Sequence, residues 1–169
     1  MTHRVLAALL AALLLHSPAQ AAEGAAEAPV RVLVFDLEIT DTSGEGAHPD
    51  HAGRLDRMTG VLRDGLAASD ELAVTRVRDT DLAAEVPAAV RFCNGCEIDL
   101  GRKAGAEIVV TGFIHKISTL VLSVRITMRR TSDGEPVAVG VADIRGDNER
   151  AWRHGVEWLV RNRLKPRTP

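Results

Sequence analysis

Residues 118–130 alternate almost without error. Leu120, Leu122, Val124, Ile126 and Met128 share one face, and Ser123, Arg125, Thr127 and Arg129 share the other. A period of two predicts a strand with one core face and one wet face. Ser132-Asp133-Gly134-Glu135 follows with the Asp-Gly signal of a hairpin turn, and Val137, Val139 and Val141 carry the return strand. Upstream, residues 30–39 and 107–116 are apolar with little alternation, around Val32-Leu33-Val34-Phe35 and Ile108-Val109-Val110. Such runs fit strands covered on both faces. Residues 72–77 read as a further strand.

The helical stretches follow a different period. Leu55, Met58, Leu62 and Leu66 recur at spacings of three and four, which predicts an amphipathic helix over 54–69. Residues 41–53, with Gly44, Gly46 and Pro49, form the loop before it. Pro87 limits residues 81–89 to a short helix. A second helix spans 97–104 and stops at Gly105, and a closing helix spans 148–164 with Asn148 as its cap. Helices near the front imply a parallel crossover, and the back half is an antiparallel meander. The expected fold is α/β, bordering on α+β: a mixed sheet of about five strands with helices packed on it.

The amino terminus changes the compartment. A basic start containing Arg4, an Ala/Leu run over residues 5–15 and an Ala19-Gln20-Ala21 site read as a removable secretory signal, residues 1–21. The apolar run is shorter than the ~20 residues a spanning helix needs. A single Arg, where a twin-Arg signal has two, favours export of an unfolded chain. Residues 22–29 are a flexible lead-in, 30–165 one domain and 166–169 a tail. The expected location is the periplasm, with no membrane span after cleavage. Losing Arg4 leaves 20 Lys and Arg against 23 Asp and Glu, a net charge of −3. Without a basic excess to neutralise phosphates, nucleic acid is not an expected partner.

The chain's two cysteines form Cys93-Asn94-Gly95-Cys96. In an oxidising compartment this pair is expected to be a disulfide. At a helix start it can brace the chain locally or, with a lowered thiol pKa, take part in thiol–disulfide chemistry. The strand leading into a thioredoxin-type pair is missing. Glu97 stands where a haem-attachment motif has His, and a lone C-x-x-C is half of a zinc site. No G-x-S-x-G elbow and no phosphate-cradling glycine loop is present, so neither a catalytic constellation nor a cofactor is expected.

A second candidate is a ligand or metal site formed by Asp36, Glu38, Asp41, His48 and His51. Two imidazoles and nearby carboxylates offer donors for zinc or copper. Asp36 and Glu38 also approach the carboxyl end of a strand, where open α/β sheets bind ligands. On the closing helix, Trp152, Val156, Leu159 and Val160 form the apolar stripe. Trp158 lies about 120° from Trp152. With Arg153 and Arg161 beside it, Trp158 is a candidate partner contact.

Three segments carry a family resemblance: Asp36-Leu37-Glu38-Ile39-Thr40-Asp41-Thr42-Ser43, Cys93-Asn94-Gly95-Cys96-Glu97-Ile98-Asp99, and Asp143-Ile144-Arg145-Gly146 followed by Trp152. In this order they resemble an uncharacterised family of exported bacterial proteins, filed as a domain of unknown function. More distantly, the segment from Ala104 to Gly112 and the following hairpin resemble the amino-terminal domain of TolB and its curli-secretion relatives. Those are periplasmic modules of envelope assemblies. The resemblance implies an exported α/β module whose partner is another periplasmic or envelope protein, and it transfers no catalytic residue. The leading expectation is a non-catalytic interaction or assembly module. The alternative is a thiol–disulfide, cofactor- or metal-handling accessory protein using Cys93 and Cys96.

Overall fold

The computed structural model describes residues 28–164. The signal at 1–21, residues 22–27 of the lead-in, residue 165 and the tail at 166–169 lie outside the described residues. The elements are β1 (Val30–Val34), β2 (Glu38–Asp41), α1 (His51–Ala67), β3 (Leu72–Arg76), α2 (Cys96–Lys103), β4 (Ile108–Lys116), β5 (Val121–Arg130), β6 (Pro136–Arg145) and α3 (Glu149–Asn162). Short 3-10 turns at Val77–Asp79, Ala83–Glu85 and Val90–Phe92 connect β3 to α2.

The six strands make one mixed sheet in the order β3-β1-β4-β5-β6, with β2 also beside β4. β1 runs parallel to both β3 and β4, and β4, β5 and β6 form an antiparallel meander. The expected α/β class and its division into a parallel front and an antiparallel back therefore hold. The single strand expected over 30–39 is two: β1 pairs with residues 108–110 and β2 with residues 113–116 of the same neighbour. Residues 35–37 step between them, so the carboxyl end of β1 opens into a loop.

Alternation splits the core into two layers. Val32, Val34, Val110, Ile126 and Met128 face α1 and α3, where Met58, Leu62, Trp152, Val156 and Leu159 cover them. Leu33, Phe35 and Val109 face the other way and meet Val77, Val90, Ile98 and Leu100 from α2 and the preceding loop. That second cover stops over β1 and β4. Further across, past the Glu97–Arg129 pair, that face is left bare around Val121, Val139 and Val141.

The elements differ from expectation in four further places. α1 begins at His51, three residues earlier than the expected start at 54, after a turn at Asp50. Leu120 does not join the core face of β5. It sits in the tight turn closed by the Val121 N–H on the Ser118 carbonyl and is 71% exposed. Val139 and Val141 lie on β6 as expected but point to the bare face, while Gly140 and Ile144 face α3. The short helix expected over 81–89 is reduced to a 3-10 turn. Asn148 caps α3 as expected, accepting the Ala151 N–H at 3.0 Å.

Glycine placement gives a test of this packing. A Cβ at Gly101 would meet Val109 Cγ1 at 2.4 Å and Thr131 Cγ2 at 2.7 Å, whereas one at Gly60 meets nothing within 4 Å. Gly101→Ala should therefore lower stability by about 1–3 kcal/mol through overpacking. Gly60→Ala should raise it by roughly 0.4–1 kcal/mol through loss of unfolded-chain entropy. Urea unfolding of both variants checks the contrast.

Candidate functional site

Two polar regions stand out, and each is built from the loops that the sheet topology leaves free. The first lies at the carboxyl ends of β1 and β3. There the chain leaves the sheet at Asp36 and again at Val77, and a groove of about 450 Å³ opens between them, lined among others by Glu38, Leu55, Arg78, Pro87 and Arg91. Asp36 is paired with Arg76 and Arg78, each at 2.7 Å, and Asp56 shares both cations. The hydrogen bond from Arg76 holds the Asp56 carboxyl below its usual range. Glu38 turns to a different task. Its carboxylate accepts the Val90 N–H at 2.5 Å and the Arg91 guanidinium, fastening the loop ahead of α2 to β2.

That loop ends in the disulfide. Cys93 and Cys96 are bonded, with their Cα atoms 5.5 Å apart, and Cys96 is the first residue of α2. Asn94 and Gly95 both take positive φ, +54° and +105°, which is why an Asn-Gly pair suits this turn. Both sulfur-bearing residues are half-buried. Glu97 below them is buried and paired with Arg129 at 2.5 Å. Phe92, immediately before the bridge, is 75% exposed, with the Arg91 guanidinium 4.5 Å from its ring centroid.

The second region joins the loop after β2 to the start of α3. Asp147 is 5% exposed and receives Arg54 at 2.5 Å and His51 Nε2 at 2.8 Å, with Lys116 Nζ at 3.9 Å. Lys116, at the end of β4 and 3% exposed, also reaches Glu45 at 2.8 Å and Asp41 at 3.4 Å. The hydrogen bond from Lys116, helped by those from Thr119, lowers the Glu45 carboxyl to about 2. Asp41 is also lowered, chiefly by its hydrogen bonds with Ser43. Lys116 is raised in turn, first by Glu45. His51 stacks on the buried Trp152 at 5.6 Å between ring centroids, and the Arg54 guanidinium stands 4.9 Å from the Trp152 ring centroid.

The five residues expected to share a ligand site are thus divided. Asp36 and Glu38 each engage arginines beside the groove, whereas Asp41 and His51 belong to the Lys116–Asp147 region. His48 lies beside His51, with ring centroids 5.2 Å apart. Among the described residues, the one set of three His, Cys, Asp or Glu donors within 4.8 Å of one another is Cys93, Cys96 and Glu97, and its sulfurs are joined. Trp158 is half-buried, with Arg163 5.6 Å from its ring, while Arg153 and Arg161 both turn to Glu157. Sequence reasoning missed Lys116, Arg54, Asp147 and Phe92. Lys116 closes an apolar run, and a cation there is a usable sign of a buried ion pair. Asp147 follows Gly146 before a cap, which is ordinary turn composition and gave no sign.

The fold and these loops place the chain in a class of small mixed α/β modules. A family described as a protein of unknown function (DUF2380) matches residues 30–164, and the chain belongs to it. The fold is similar to the LpoB C-terminal domain from Salmonella enterica, at 16% identity and a TM-score of 0.54 over 72% of this chain and 87% of that one. It is also similar to the PelC dodecamer subunit from Paraburkholderia phytofirmans, at 13% identity and 0.53 over 78% and 85%. Lipoprotein GNA1162 from Neisseria meningitidis matches at 17% identity and 0.52 over 71% and 84%. The TolB likeness expected from the hairpin is present at a TM-score of 0.47 over 28% of the TolB chain from Acinetobacter baumannii, which is too loose to carry an argument. No curated protein matches the sequence.

Asp147→Ala should cost about 3–5 kcal/mol in urea unfolding, since it leaves Arg54 buried without its carboxylate, while Lys116 keeps Glu45 and Asp41. The lowered Glu45 carboxyl sets a pH window. Its stabilisation is complete above the ordinary value of 4.5 and is lost as pH falls through about 2. Glu45→Gln should therefore be less stable than the parent near neutrality. The gap should close between about pH 4.5 and 2, as read by unfolding at a series of pH values.

Proposed function

We propose that the protein is an exported, non-catalytic interaction or assembly module of the cell envelope, working in the periplasm as one domain, residues 30–165, released from its signal. The observation that carries this reading is Phe92. An aromatic side chain 75% exposed stands on a loop that the disulfide, Glu38 and Arg91 hold in place. Holding a large apolar side chain in water on a braced loop is a cost with no return in the isolated chain, and it is the form of a protein-binding anchor. The envelope setting is supported by the secretory signal in the sequence and by a fold shared with a lipoprotein. The groove beside the loop extends the contact surface toward Pro87 and Arg78. Trp158 with Arg153 and Arg161 is a separate, lesser contact.

Replacing Phe92 by a photo-crosslinking phenylalanine in expressing cells should give a discrete adduct with one envelope protein. Phe92→Ala should weaken binding of that protein by about tenfold or more, with unchanged melting. Absence of an adduct, or undiminished binding by the alanine variant, overturns the reading.

A second reading rests on the bridge itself. The disulfide is half-exposed at the first turn of a helix, where thiolates are favoured. Thiol–disulfide exchange at Cys93 and Cys96 predicts a reduction potential near those of the oxidising thiol–disulfide proteins, about −120 to −180 mV. A brace lies below about −300 mV. Equilibration against a glutathione or dithiothreitol couple decides between them.

A further inference from the structure

β6 is the last strand of the sheet. Among the described residues nothing pairs with its outer edge. Such an edge presents a row of free N–H and C=O groups to any other strand, and proteins usually blunt it with charges or proline. The middle of β6 carries neither. It reads Ala138-Val139-Gly140-Val141-Ala142, the same in both directions about Gly140.

Apolar side chains stand on both sides of this edge, with Arg125 the cross-strand neighbour of Val141. On the bare face, Val121, Val139 and Val141 are 47%, 42% and 51% exposed. On the helix face, α3 lies close over Gly140, where a Cβ would meet Leu159 Cδ2 at 2.8 Å and Arg163 Cβ at 3.1 Å. Val160 turns toward α1, in contact distance of Gly65. Trp158, two residues earlier, lies about 200° around the helix from it. The half-buried indole is therefore turned away from α1, toward the outer edge.

We propose that this edge is completed by a second copy of the chain. The two β6 strands pair antiparallel about a two-fold axis through Gly140, continuing the sheet from one protomer into the other. The palindrome is what selects this occupant. An antiparallel pairing about Gly140 sets Val139 opposite Val141 of the second copy and Ala138 opposite Ala142, so every central pair is apolar and none sets like charges together. A two-fold arrangement is self-closing, so it uses up the apolar edge in both copies at once. The exposed valines then form a patch shared across the axis, and the two Trp158 side chains approach the junction from the helix side. This inference does not depend on the role proposed above for Phe92 and the groove, and it assigns the lesser Trp158 contact to the second copy.

Sedimentation velocity on the purified protein over a range of micromolar concentrations should show a monomer–dimer equilibrium. Val141→Lys puts an ammonium at the centre of the junction while altering only an exposed side chain. It should weaken dimerisation at least about tenfold, with circular dichroism and melting of the monomer unchanged. A Val139→Cys/Val141→Cys double variant fixes the register. Mild oxidation should give a covalent dimer linked from 139 of one copy to 141 of the other, with Cys93–Cys96 intact by mass spectrometry. A parent protein that stays monomeric, an assembly indifferent to Val141→Lys, or links between identical positions would overturn the proposal.

Discussion

A single buried carboxylate, Asp147, ties the ends of this fold together. It stands just before α3, yet its partners come from the first turn of α1, at His51 and Arg54, and from the end of β4, at Lys116. Through Lys116 the same charges reach Asp41 at the end of β2 and Glu45 in the loop after it. One cluster of opposite charges thus adds α1 and the start of α3 to the β2–β4 pair, whose last register partners are Asp41 and Lys116. Trp152 covers the inner part of the cluster, lying against both His51 and Arg54. Burial raises the stakes of the arrangement: complete, it is stable, and with the Asp147 carboxylate removed Arg54 is stranded in a poorly solvated site. α1 and α3 owe their mutual position at this end to that requirement, and the apolar layer beneath them is packed accordingly.

The groove region obeys a different logic. There, carboxylates hold a loop and the first turn of α2. Glu38 fastens Val90 and Arg91, Glu97 fastens Arg129, and the disulfide fixes the turn between them. The disulfide closes a loop of four residues, so its effect on the unfolded chain is small. Its value is positional, keeping Phe92 and the first turn of α2 in a set relation to the groove. A carboxylate at the end of a parallel strand looks like ligand chemistry in a sequence, but a rigid loop needs the same residue types.

Much of the architecture was legible because it rests on periodicity. The two-residue pattern of β5, the unbroken apolar runs of β1 and β4 and the Asn148 cap each express a local physical rule. The failures mark where a rule stops being local. Leu120 continues the alternation of β5 beyond the last paired residue, and nothing in the pattern says where pairing ends. Val139 and Val141 alternate correctly, but period two gives two faces without saying which is covered. The covered face is the one with Gly140, because α3 needs the space that valine would fill. The break between β1 and β2 is invisible, since both halves are apolar. The charged cluster was out of reach for a simpler reason: Arg54 and Asp147 lie 93 residues apart, and neither has a neighbour in sequence that announces the other.

The placement of β1 inside the sheet, between β3 and β4, has a consequence for how the chain comes to be folded. This strand lies near the amino terminus, but one of its two neighbours is β4, and the first bonds between them join Arg31 to Glu107, 76 residues later. The parallel pairing with β3 can form earlier but leaves β1 open on its other side. A chain emerging amino terminus first therefore has no closed sheet until most of it is available, and the final charged cluster must wait for Asp147. Contacts of such long sequence separation fold slowly. Delay of this kind leaves a polypeptide threadable for longer, which accords with the export proposed for it.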